Sequence, residues 1–107
     1  MVIKKLWEEL LEIAKEYYDE NKCFYSKTKR GVYKIKYFDK DKIVIKKFNG
    51  LDDVLTKNRL LINIDRLIYG IPWNIPPSIR SFLLLHPKIK EVDGNLKLVV
   101  DKDEVSS

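Results

Sequence analysis

Two neighbouring stretches alternate apolar and polar residues with a period of two: residues 32–38 and residues 42–48. Only Asp39-Lys40-Asp41 lies between them. That is far too short for a crossover, so the two stretches are expected to fold back as an antiparallel hairpin. A three-residue loop pairs Tyr37 with Ile43, Ile35 with Ile45 and Tyr33 with Lys47 on one face. On the other face it pairs Phe38 with Lys42, Lys36 with Val44 and Lys34 with Lys46. A one-residue slip would mix lysines into both faces. The first register is therefore expected, with Tyr33 and Tyr37 turned to a core and the lysines turned to water.

The charge distribution points to the same segment. Residues 22–59 hold twelve of the 21 basic residues and four of the 16 acidic ones, a net charge of +8. Residues 1–21 carry −3 and residues 60–107 carry zero. All of the excess positive charge thus falls on the hairpin and its flanks, and a localised cationic face implies an anionic partner.

Around the hairpin the pattern becomes helical. Ile3, Leu6, Trp7, Leu10, Ile13, Ala14, Tyr17 and Tyr18 recur at three- and four-residue steps. This predicts an amphipathic helix over residues 2–20 whose outer face, Glu8, Glu9, Glu12 and Glu16 among it, is acidic. Residues 24–26 read as a short strand, and Lys27, Lys29 and Arg30 as a basic turn closed by Gly31. Asn49-Gly50 ends the hairpin. A second helix, capped by Asp52 or Thr56, is expected to run to Tyr69 and stop at Gly70. Its buried stripe is Leu60, Leu61, Ile64, Leu67 and Ile68. Residues 71–77 form a proline-stiffened connector, and Pro77 suits the first turn of a third helix over residues 77–85. Residues 88–92 and 96–100 then make a second hairpin about Asp93-Gly94-Asn95. A two-residue turn sets Lys90 opposite Lys97, and a three-residue loop sets Glu91 opposite Lys97. Residues 101–107 read as a frayed polar tail.

The expected class is α+β: helix, hairpin, two helices, C-terminal hairpin, in a single domain over residues 1–100. Helices two and three followed by a hairpin, over about residues 52–100, resemble part of a winged-helix domain in topology. The resemblance rests on no motif. It implies a DNA-facing third helix, of which only Ser78, Arg80 and Ser81 are placed to point outward.

Other chemistries find little support. Cys23 is the sole cysteine, without companions for a disulfide or a thiolate metal site, which fits a reducing, cytoplasmic setting. His86 is the sole histidine and reads as a helix-end residue, not a base. Asp65, Glu91 and Asp93 are scattered, and four glycines make no phosphate-binding loop. No enzyme, cofactor or metal is expected. No apolar run reaches the ~18 residues of a membrane span, and the early acidic residues do not suit a signal peptide. Abundant Lys, Ile and Glu without any Gln fit a heat-adapted source, or equally an A·T-rich genome.

The expectation is a small nucleic-acid-binding protein, with duplex DNA favoured. Lys34, Lys36, Lys42 and Lys46, with the loop residues Lys27, Lys29 and Arg30, would meet phosphates. Tyr33 and Tyr37 would serve as a stacking platform for single strands only if they were exposed. Lys88, Lys90 and Lys97 form a candidate basic wing. The alternative is a protein-interaction or self-assembly module using Trp73 and apolar residues of the third helix such as Leu84 and Leu85.

Overall fold

The computed structural model describes residues 2–99, with side chains from Lys5 onward. The expected tail at 101–107, Val100 and the side chain of Ile3 lie outside the described residues. Helix α1 (Val2–Asp19) is followed by strands β1 (Cys23–Tyr25), β2 (Val32–Phe38), β3 (Lys42–Lys47) and β4 (Asp52–Thr56). Three short helices come next, α2 (Lys57–Ile62), α3 (Ile64–Tyr69) and α4 (Pro77–Leu83), and the hairpin β5 (Ile89–Val92) and β6 (Asn95–Leu98) closes the described chain. The first four strands form one antiparallel sheet in sequence order, and β5 and β6 form a separate two-stranded ribbon. The α+β class holds.

One face of the sheet is packed and the other is open. Phe24, Tyr33, Ile35, Ile43, Ile45 and Leu55 point to one side and are buried. They meet Leu6, Trp7, Leu10 and Ala14 of α1, Leu60, Ile64 and Leu67 of α2 and α3, and Ile79, Phe82 and Leu83 of α4 in one core. Burial on this scale dominates the folding free energy, at roughly 1.5–3 kcal/mol for each large apolar side chain removed from water. Two polar ties hold α1 in place, one to the β2–β3 hairpin and one to the connection between α4 and β5. The Trp7 indole Nε1 donates to the Lys40 carbonyl at 2.8 Å, and Glu9 Oε1 lies 3.1 Å from His86 Nε2. His86 is buried, and its Nδ1 accepts from the Lys88 backbone N–H at 3.0 Å. Its place is therefore a structural hub between α1 and β5.

The hairpin register departs from the expected one halfway along. Tyr33 pairs with Lys47, Lys34 with Lys46 and Ile35 with Ile45, as expected. A bulge then intervenes, and Tyr37 pairs with Val44 and Phe38 with Ile43. The expected pairs Tyr37–Ile43, Lys36–Val44 and Phe38–Lys42 do not form. The extra residue, Lys36, lets Lys36 and Tyr37 both face outward and turns Phe38 toward the core. There Phe38 meets Tyr18 edge-on, with ring centroids 5.8 Å apart. The Asp39 carboxylate stabilises the loop by accepting from the backbone N–H groups of Asp41 and Lys42, at 2.8 and 2.9 Å.

The expected second helix is three elements. Asp52 to Thr56 is a strand, its hydrogen bonds supplied by β3, with Lys46 opposite Asp52 and Ile43 opposite Leu55. Thr56 is the helix cap, its Oγ1 accepting from the Arg59 N–H at 3.0 Å. The helix then breaks at Asn63, whose φ of −103° and ψ of 14° leave the helical range. Gly70 closes α3 in the left-handed conformation, as its position implies. Helix α4 ends at Leu83, two residues before its expected end. In the last hairpin the two-residue Asp93-Gly94 turn is the one adopted, and Lys90 faces Lys97.

Candidate nucleic-acid interface

Strand alternation builds the open face residue by residue. Its members are Cys23 and Tyr25 on β1, Val32, Lys34, Lys36 and Tyr37 on β2, and Lys42, Val44 and Lys46 on β3. Strand β4 adds Asp52, Val54 and Thr56. The structure brings Lys34, Lys36, Lys42 and Lys46 onto this one surface, with Lys34 and Lys46 directly opposed. Such a like-charge pair is locally unfavourable.

The four ammonium groups differ in their surroundings. Lys36 Nζ reaches over β3 to Asp52 Oδ2 at 2.7 Å. Asp52 was expected to cap a helix, and in the sheet it becomes a counter-ion for the lysine face instead. Lys34 donates to the neutral side-chain amide of Asn21 at 2.9 Å, which leaves its charge uncompensated. Lys42 lies 5.7 Å from the centre of the Tyr37 ring. Lys46 is exposed and has no partner among the described residues. Asp39, which accepts from the Tyr37 hydroxyl and is drawn on by Lys42, adds a second carboxylate at the hairpin tip, so four ammonium groups stand against two carboxylates and the face stays cationic.

The loop residues separate from one another. Lys27 leaves the face and joins Glu91 Oε1 at 2.7 Å. Glu91 Oε2 also accepts from Arg80 Nη2 at 2.6 Å, and the same Arg80 nitrogen donates to the Gly94 carbonyl at 2.6 Å. These two cations hold the Glu91 carboxyl below its ordinary value, the Lys27 hydrogen bond contributing most. Lys29 and Arg30 remain exposed, in a turn fixed by Ser26, whose Oγ accepts from the Gly31 N–H at 2.8 Å. Lys29 adopts a φ of 61°, a left-handed conformation that costs an L-residue roughly 1–2 kcal/mol.

Helix α4 offers no comparable surface. Ser78 and Ser81 are buried, contrary to the outward orientation expected of them. Ser78 Oγ donates to Asp53 Oδ2, and Asp53 also meets Lys47 Nζ at 3.4 Å. Arg80 is committed to Glu91 and Gly94. Trp73, Leu84 and Leu85 are half-buried against the core.

The main residues missed from the sequence are aromatic. Tyr25 is 55% exposed, Tyr37 48% and Phe48 89%. Tyr33 alone of the hairpin tyrosines is buried, so the expectation of a buried Tyr37 is corrected by the bulge. Tyr25 was legible as the alternate neighbour of the core residue Phe24. Phe48 borders a shallow pocket of about 210 Å3 lined also by Cys23, Val32, Lys34, Lys46 and Lys47. Cys23 is thus a half-buried thiol in the floor of the lysine face. Among the described residues no three His, Cys, Asp or Glu side chains are grouped to hold a metal ion. No helix among them is long and apolar enough to cross a membrane.

These features define an α+β protein that carries an open, cationic, aromatic-studded antiparallel sheet. The chain is 66% identical over 95 residues to the Uncharacterized protein MJ0589 of Methanocaldococcus jannaschii, covering 87% of this chain and 93% of that one. It belongs to the same family as that archaeal protein. No family model matches the chain, and no solved structure matches it.

Proposed function

We propose that the protein binds nucleic acid on the open face of its four-stranded sheet, by a binding function without catalysis. One observation carries the reading: Lys34 and Lys46 are directly opposed on a surface whose carboxylates lie elsewhere, Asp52 taken up by Lys36 and Asp39 set at the hairpin tip beside Tyr37 and Lys42. Uncompensated ammonium groups repel one another, and phosphates would reverse the sign of that cost while releasing counterions. Lys29 and Arg30 extend the surface at one end. The acidic outer side of α1 lies behind the sheet and would face away from a polyanion.

A winged-helix mode would place α4 in a groove instead. The buried serines and the engaged Arg80 favour the sheet over α4. The half-buried state of Trp73, Leu84 and Leu85 likewise favours nucleic acid over a protein-docking role for them. A cytoplasmic, heat-adapted setting is the companion proposal, supported by the Lys- and Glu-rich composition and by a relative from a thermophilic archaeon.

Duplex DNA is the first probe, because phosphate contacts alone suffice to hold it. If about five phosphates are engaged, log affinity falls against log salt with a slope of roughly −4 to −5. Lys34→Glu with Lys46→Glu is expected to lower affinity at least about 100-fold without changing the melting temperature by more than a few degrees. Failure to bind any nucleic acid at low salt would sink the proposal.

A further inference from the structure

Resting on that reading, we propose that the nucleic acid on this face is single-stranded, with bases stacked on Tyr25, Tyr37 and Phe48 and phosphates held by Lys34, Lys42 and Lys46. Five aromatic side chains are exposed among the described residues: Tyr18, Tyr25, Tyr37, Phe48 and Tyr69. Three of the five fall on or beside the lysine surface, and Tyr18 is packed edge-on against Phe38. Phosphate contacts can use a tyrosine hydroxyl but not a ring face, and here the Tyr37 hydroxyl is taken by Asp39 and Phe48 has none. A surface that meets unpaired bases needs them, because every base has a π-face to stack.

The geometry gives each end of the face its own platform. At the hairpin end the Tyr37 hydroxyl donates to Asp39 Oδ2 at 3.0 Å, which fixes the ring's attitude beside Lys42. The bulge at Lys36 is what brings this ring to the surface. At the opposite end Phe48 walls the shallow pocket whose floor is Cys23 and Val32 and whose cationic lining is Lys34, Lys46 and Lys47. Tyr25 stands beside it, opposite Val32 in the register. From Val32 to Tyr37 is five residues along one strand, about 16 Å at ~3.3 Å per residue. That span suits a short run of nucleotides, with Lys34 and Lys36 between the two platforms. In a duplex the bases are already stacked on each other and leave these rings unpaired.

The test uses the full chain and three fluorescent probes of equal length, about 12 nucleotides: a thymidine strand, the same strand with its bases removed, and a duplex. The thymidine strand is expected to bind at least about 10-fold tighter than the abasic strand, although both carry the same phosphates. Tyr37→Ala and Tyr25→Ala are each expected to weaken thymidine-strand binding about 5- to 100-fold and to leave the abasic strand unchanged. Equal affinity for the thymidine and abasic strands overturns the stacking proposal while the wider nucleic-acid reading stands. So does a duplex preference that the tyrosine variants do not alter. Absence of binding to all three probes removes both. The comparison of strands needs only the unaltered protein, so it decides the matter whatever the variants do to folding.

Discussion

Among the described residues two opposed lysine pairs lie on antiparallel ribbons, and their settings differ. Lys34 faces Lys46 within a four-stranded sheet, and Lys90 faces Lys97 on a separate two-stranded one. The first pair has two further lysines on its face and exposed rings at both ends. The second has Val92 nearby and no exposed aromatic neighbour on its ribbon. The ribbon's own carboxylate, Glu91, is turned aside to Lys27 and Arg80, where it ties the ribbon to α4 and to the basic loop. A cross-strand lysine pair therefore says little by itself. The surface around it decides whether its repulsion is a minor cost or a place for phosphate.

The contrast is broken most directly by charge reversal at the second pair. Lys90→Glu with Lys97→Glu is expected to reduce nucleic-acid affinity less than about 5-fold in the same titration that registers about 100-fold for the first pair. Equal losses would mean that both ribbons share the contact surface. A smaller effect sharpens the picture of the first face. Asp52→Asn releases Lys36 from its ion pair and adds one free charge, so affinity is expected to rise about 2- to 5-fold and the salt slope to steepen by about 0.9 for duplex DNA. An unchanged slope would show that Lys36 does not reach phosphate.

The smallest effect concerns the second ribbon's anchor. Glu91 is held below its ordinary value, so its contribution to stability is full above the unfolded-state value and is lost as pH falls through the folded one. At neutral pH Glu91→Gln is expected to cost about 1 kcal/mol, as partly exposed pairs do. Denaturant melts should show the gap between the two proteins closing as pH drops below about 4. A gap that persists in acid would assign the loss to packing and not to charge.

Much of the fold could be read from residue order because few alternatives satisfied it. The α1 stripe has one apolar side, and lysine alternation in β2 and β3 admits one register as far as Ile35. Past that point Tyr37 and Phe38 are consecutive aromatic residues, and alternation alone cannot tell which of them enters the core. The bulge follows from which ring packs better against Tyr18, a contact between distant parts of the chain. Strand β4 was hidden for another reason. Asp52 and Asp53 are poor strand formers and good helix caps, and they pair only because β3 offers an open edge. The break at Asn63 was likewise invisible, since Leu60, Ile64 and Leu67 keep helical spacing on both sides of it. Of the candidate site, the four lysines were legible as a group. The Asp52 counter-ion, the outward Tyr37 and the removal of Lys27 to Glu91 all depended on tertiary neighbours.

The Trp7 indole bond to the Lys40 carbonyl has a consequence for association. It clamps the tip of the β2–β3 ribbon to the long helix behind it, so the strands bearing the cationic groups are braced at the end where free hairpins fray. A ligand meeting this ribbon finds its backbone already immobile. The entropy of holding the ribbon still was lost during folding, and little of it remains to be lost at the encounter.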